Sequence, residues 1–153
     1  MKYTASVLWE KKDTEFFTDN KYSRKHRWAF DGGTEVPASS SPQVVPLPMS
    51  DASAVDPEEA FVAAISSCHM LFFLSIAASS NYIIETYEDI AEGIMSKNEN
   101  GLMVMTDIIL KPIIVFSGPN IPSAEQITKL HDSAHKKCYL ANSVKSTIKV
   151  IQS

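Results

Sequence analysis

Two cysteines stand in very different parts of the chain, Cys68 in AISSCHMLFFL and Cys138 in HKKCYLANSV. The thiolate is the nucleophile of cysteine chemistry, whereas a thiol buried among apolar groups with no cation nearby is a small, inert hydrophobe. Cys68 sits in the most apolar stretch of the sequence, for no Asp, Glu, Lys or Arg occurs between Ala60 and Ile84. Reactivity there requires a positive charge supplied by the fold. His69 is adjacent, but successive helix residues point about 100° apart, so it reads as a packing or hydrogen-bonding residue. The remaining candidates are Arg24 and Arg27, the only arginines, both in YSRKHRWAFDGG. Arginine stays charged when buried and can hold a carboxylate through two parallel hydrogen bonds. Strand alternation puts Arg24 on the same face as His26 and Trp28, which favours it over Arg27. Glu58 in DPEE offers the carboxylate, unless it and Glu59 only serve the helix dipole.

A second constellation competes. His131, His135 and Cys138 stand at i, i+4 and i+7 in LHDSAHKKC and share one helix face. With Cys68 they could form a Cys₂His₂ zinc site. The plainer account leaves both histidines on the solvated face of an amphipathic helix beside Asp132 and Lys136. A third class is a non-catalytic module that holds a small apolar ligand against the apolar helix.

The elements that must position these residues can be read in order. Alternation of Tyr3, Ala5, Val7 and Trp9 predicts a first strand, and HRWAF a second that ends at the turn Asp31-Gly32-Gly33. Four prolines between Val36 and Met49 exclude regular helix or central strand and imply an extended surface crossing, either a passive connector or the roof of a pocket. Asp56 caps a helix with Pro57 at its first position and Glu58 and Glu59 in its first turn, running to about Ser80. Two strands rich in Ile, Val, Met and Tyr follow between Tyr82 and Gly118, joined by a hairpin at KNENG, with Pro112 bending or ending the second. Ser123 and Gln126 have capping-box spacing at the start of a second helix that reaches roughly Tyr139, and SVKSTIKVIQS alternates as a closing strand. This order is an α+β domain spanning residues 1–153.

Length and charge narrow the function. A chain of 153 residues can bury a sizeable core without disulfides or metal. With 14 Lys and Arg against 18 Asp and Glu there is no basic block to neutralise a phosphate backbone, so no nucleic-acid partner is expected. The start has no apolar run of secretory length, which argues for a cytoplasmic protein with reduced thiols. The apolar helix is long enough to span a bilayer, but Ser66, Ser67, His69, Ser75, Ser79 and Ser80 within it and acidic flanks on both sides argue against insertion. No membrane partner is expected. A helix apolar all round is then best explained by burial within protein. Ten residues of continuous helix put Glu58 about 15 Å from Cys68, too far for one small site. A Glu58 contributed by a second copy removes the difficulty and predicts a homodimer with composite sites.

The segment DPEEAFVAAISSCHM, with a cysteine ten residues after its first Glu, and the later cysteine in HKKCYLANSV together resemble the OsmC/Ohr family of osmotically inducible and organic hydroperoxide resistance proteins. YxRxHxWxFDGG and SSCHM resemble a less-characterised OsmC-like branch. The likeness extends over nearly the whole chain in element order. It implies an intertwined homodimer in which antiparallel strands wrap buried central helices. It also implies a thiol peroxidase: Cys68 as peroxidatic cysteine, Cys138 as resolving cysteine, and Glu58 orienting Arg24 beside the thiolate. Organic hydroperoxides are the implied substrates, a dithiol such as a dihydrolipoyl group the implied reductant, and no cofactor is required. Met70, Leu71, Phe72 and Phe73 would supply an apolar pocket.

Overall fold

A computed structural model describes residues 1–152 of the chain. Its contacts cluster into two units, Met1–Ala60 and Phe61–Ser153, with the division falling inside a helix.

The N-terminal unit holds a three-stranded antiparallel sheet of β1 (Ala5–Leu8), β2 (His26–Phe30) and β3 (Glu35–Ala38), in that order. The Asp31-Gly32-Gly33 turn joins β2 to β3 with Gly33 at φ +84°, a conformation that glycine adopts without steric cost. Pro37 is tolerated because β3 is an edge strand. The proline-rich segment that follows is exposed at Pro42, Pro46 and Pro48, as expected of a surface crossing, but Ser39, Ser41 and Ser50 within it are buried. The backbone needs of that segment are met locally. Ser39 N–H donates to Val55 O and Val55 N–H to Pro37 O, both at 3.0 Å, and Ser39 Oγ accepts from Asp51 N–H. Prolines remove donors, and hydroxyls and carbonyls here satisfy the groups that remain.

Helix α1 (Pro57–Ser79) opens with a closed capping box. Asp56 Oδ1 accepts from Glu59 N–H at 2.8 Å, and Glu59 Oε1 accepts from Asp56 N–H at 2.9 Å. It stops at Asn81, which takes φ +58°, while Tyr82 N–H reaches Ala77 O and Asn81 N–H reaches Ala78 O in a Schellman arrangement. The helix is long and apolar enough to cross a membrane by length and composition. Ile65, His69, Phe73 and Ala77 nevertheless form a buried stripe at four-residue spacing. Ile65 packs with Ile108 and Leu110, and Phe73 and Ala77 pack with Leu130 and Ala134.

Between α1 and the second helix there are four strands rather than the expected two: β4 (Ile83–Asp89), β5 (Glu92–Lys97), β6 (Met103–Leu110) and β7 (Pro112–Ser117). The expected hairpin at KNENG joins β5 to β6, and β4 pairs with β7 around it, so one hairpin nests inside the other. The long run is cut where the Asp89 carboxylate accepts Lys111 N–H at 2.6 Å, beside Pro112, which starts β7. Helix α2 (Ala124–Lys137) begins with the capping box of Ser123 and Gln126. A 3-10 turn (Ala141–Ser143) leads to β8 (Thr147–Val150), which runs parallel to β6, in contrast to an all-antiparallel arrangement.

Gly93 on β5 marks the closest approach of α1 to its sheet, because a Cβ built there would lie 2.5 Å from Val62 Cγ2 and 2.7 Å from Met105 Sδ. Gly93→Ala should therefore destabilise the protein by about 1–3 kcal/mol, the usual cost of overpacking, as read from urea unfolding midpoints.

Candidate active site

Cys68 lies on α1 and is partly exposed; Cys138 is the C-cap of α2 and is fully buried. The two elements bring them near one another, close enough for Cys68 to raise the Cys138 pKa, and both thiols are free. Cys138 is no longer helical: at φ −63°, ψ 113° it leaves α2 while its N–H is still held by Ala134 O and His135 O. Its Sγ accepts from Ala141 N–H at 3.4 Å. Burial, and next the adjacent Cys68, push the Cys138 thiol up to about 11, against the smaller stabilising effect of that N–H. The pair is therefore asymmetric, with one thiol reachable and the other buried and held protonated.

Cys68 opens on an apolar cavity of about 470 Å³, lined also by Ala64, Ser67, Leu71, Phe72, Ser75, Tyr139 and Leu140. Phe72 and Tyr139 meet edge to face with centroids 5.1 Å apart. Of the four residues expected to form an apolar pocket, Leu71 and Phe72 line this cavity. Phe73 is instead in the core, against Tyr87 and His131. Tyr139, expected at the end of the second helix, lies beyond it, and its place on the cavity depends on the turn that follows Cys138.

The histidines depart from the expected pattern. His131 is buried rather than solvated, and its Nδ1 lies 2.9 Å from His69 Nε2, with the rings stacked at 13°. His69 thus has the hydrogen-bonding role expected of it. His135 is exposed, and among the described residues no group of three or more His, Cys, Asp or Glu is placed to hold a metal ion. The zinc site is not assembled, because His131, at the edge of the inward face, is bonded to His69 while His135, about 40° further round the helix, is exposed. Burial lowers both buried histidines to about 4; His135 further lowers His69, and each imidazolium would disfavour the other.

Glu58 and Glu59, equivalent in the sequence, separate in the structure. Glu59 closes the capping box, whereas Glu58 makes no hydrogen bond or ion pair among the described residues. The helix between Glu58 and Cys68 is unbroken, so the separation of about 15 Å stands. Arg24 does not lie on the strand, since β2 begins at His26. Its guanidinium donates to Asn20 Oδ1 at 2.7 Å, to Asn20 O at 3.0 Å and to Tyr22 O, and it stacks 3.9 Å above the Tyr22 ring. Arg27 Nε is 4.0 Å from Glu35 Oε1, whereas Arg24 has no carboxylate partner among the described residues.

The fold is that of a small α+β protein with two free thiols near one another, one of them on an apolar cavity. Residues 50–153 match the OsmC-like protein family, and the chain belongs to it. It is 51% identical to an OsmC-like protein of unknown function from Vibrio cholerae, with a TM-score of 0.98 over 100% of this chain and 99% of that one. Organic hydroperoxide resistance proteins from Elizabethkingia anophelis and Bacillus subtilis share the fold at 18% and 17% identity, with TM-scores of 0.68 and 0.60. Each is matched over 99% of this chain, and over 95% and 98% of its own length respectively. No curated protein matches the chain.

The buried histidines predict a specific acid sensitivity. Their folded-state values lie below the ordinary 6.5, so the unfolded chain binds more protons as pH falls. Their stabilising effect is complete above about pH 6.5 and is lost as pH falls through about 4. Urea unfolding of the wild type should weaken over that interval more steeply than that of His131→Phe.

Proposed function

We propose that the protein is a cysteine-based thiol peroxidase that reduces organic hydroperoxides. The observation that carries this reading is the proximity of a partly exposed Cys68 on an apolar cavity to a buried Cys138. The Cys68 thiolate attacks the terminal oxygen of ROOH, the O–O bond breaks, and the alkoxide takes a proton to leave as ROH. Cys68 is then a sulfenic acid. Cys138 attacks its sulfur, the S–O bond breaks, and the thiol proton departs with the hydroxyl group as water, leaving a Cys68–Cys138 disulfide. An external dithiol, of which a dihydrolipoyl group is one type, reduces the disulfide again. The reaction needs no cofactor, and reduced thiols at rest suit a cytoplasmic setting.

The asymmetry of the pair supports these roles. A buried thiol pushed up to about 11 is a poor first nucleophile, but it stands next to the sulfur it must attack. The apolar lining favours a peroxide with a hydrocarbon substituent over hydrogen peroxide, which gains nothing from leaving water.

The site is completed in a homodimer. Ala64, Ser67, Leu71 and Ser75 leave a face of α1 exposed, with Leu71 at 59%, and small residues allow a second helix to approach closely. Among the described residues Glu58 has no cation and Arg24 no carboxylate, so a charge pair formed across two copies satisfies both. It would hold a guanidinium beside the thiolate and favour its nucleophilic form.

Reduced protein mixed with a slight excess of cumene hydroperoxide should lose two hydrogens by intact mass within the mixing time, and far faster than with hydrogen peroxide. Cys68→Ser should abolish the loss. Slow oxidation that does not distinguish the two peroxides would sink the peroxidase reading and leave the cavity as a binding site for an apolar ligand. Composite sites predict complementation as well. Glu58→Gln and Cys68→Ser, each inactive alone, should recover turnover when co-expressed, since a mixed dimer retains one intact site; absence of recovery in isolated mixed dimers would place Glu58 and Cys68 of each site in the same copy.

A further inference from the structure

The geometry points to the His69–His131 pair as a positioning element for disulfide closure, an inference that rests on the peroxidase reading. His69 is the residue next to Cys68 on α1, and His131 lies seven residues before Cys138 on the same buried face of α2. The imidazole bond therefore joins these helices about 10 Å along α2 from the neighbouring thiols.

The imidazole pair is not what packing alone would select. Both rings are nearly completely buried, at 1% and 3% exposure, yet His69 Nδ1 and His131 Nε2 have no hydrogen-bond partner. Neutral imidazole carries one N–H, so whichever ring donates across the 2.9 Å contact, one buried donor and one buried acceptor remain unpaired. Two apolar side chains of similar shape would avoid that cost. What the pair supplies is direction: a hydrogen bond fixes the lateral register of α1 against α2, which apolar contact does not.

Register matters for closure. Two neighbouring free thiols must approach to the S–S bond length of about 2.05 Å, with narrow limits on the dihedral. Cys138 has already left helical geometry and can move with the turn that follows, provided the body of α2 stays in place. His131, packed by Phe73 at 4.3 Å and bonded to His69, anchors that body. With the anchor in place, Cys138 sulfur attacks the Cys68 sulfenic acid formed by ROOH, and water leaves as before.

The test separates the two oxidations. Wild type, His131→Phe and His131→Asn are mixed with cumene hydroperoxide; dimedone trapping with mass analysis reads the Cys68 sulfenic acid, and loss of two hydrogens reads the disulfide. Asparagine places an amide near the imidazole Nδ1 position and can keep the bond to His69. In His131→Phe, sulfenic acid should form at the wild-type rate but close about tenfold more slowly, consistent with loss of one hydrogen bond from the closing geometry. It should also accumulate sulfinic acid at Cys68, and His131→Asn should restore closure. His69→Leu breaks the same bond from the other helix and serves if His131→Phe does not fold. Unchanged closure in the broken variants, or equal slowing in His131→Asn, overturns the assignment. A parallel arm with diamide closes the disulfide without any peroxide. If wild-type Cys68 resists the hydroperoxide, the peroxidase reading fails, and the diamide rates still decide whether the histidines position the thiols.

Discussion

Helix α1 is apolar on every face, and the rest of the structure follows from the need to cover it. One stripe, Ile65, His69, Phe73 and Ala77, is covered by the strands and by α2. The neighbouring stripe carries Cys68 and is left lining a cavity. Burial of a large aliphatic or aromatic side chain contributes about 1.5–3 kcal/mol, so the packed stripe holds the helix in place. The uncovered stripe, made of Ala, Ser and Leu, contributes little to folding of the single chain and remains exposed. A charged residue among them would keep the helix soluble but would raise the polarity around the sulfur.

The polar groups that enter this apolar helix are each tied to a particular neighbour. Ser66 Oγ donates to the Asp89 carboxylate, whose other oxygen takes Lys111 N–H, so α1 is fastened where the outer hairpin gives way to the inner one. His69 is fastened to α2. Buried hydrogen bonds add little net stability, but they penalise alternative registers strongly, because an unpaired buried group costs about 1–3 kcal/mol. A helix with a nearly uniform apolar surface could rotate or slide among many packings. Ser66 and His69 select one of them, and with it the direction in which Cys68 points.

What could be read from the sequence was local. Asp56 with Glu59 and Ser123 with Gln126 complete their capping boxes within three residues, and the KNENG turn closes its own hairpin; nothing distant is needed to specify them. The pairing of β4 with β7 was hidden because it depends on the whole intervening hairpin, and two breaks within an apolar run look like irregularities of one strand. The site divides along the same line. Cys68, Cys138 and Glu58 are conspicuous by type, whereas the burial of His131 and its bond to a residue 62 positions away are tertiary facts. The periodicity of LHDSAHKKC was correctly read as one helix, but its phase was not: Leu130, His131, Ala134 and Cys138 face inward, and His135 is left outside.

The difference between the two thiols is itself a product of this packing. Had both cysteines been exposed on the cavity, either could meet an oxidant first, and each could be carried further up the oxidation ladder before the other arrived. Burial of Cys138 at the end of α2 removes that ambiguity. The same burial that shields it from outside molecules places it near the Cys68 sulfur, and Ala141 N–H offsets part of the cost of charge on it. On the proposed peroxidase reading, access sets the order of reaction. Position at the C-cap, where α2 has ended but its last carbonyls still hold the Cys138 N–H, gives the second thiol freedom to move without unwinding the helix behind it.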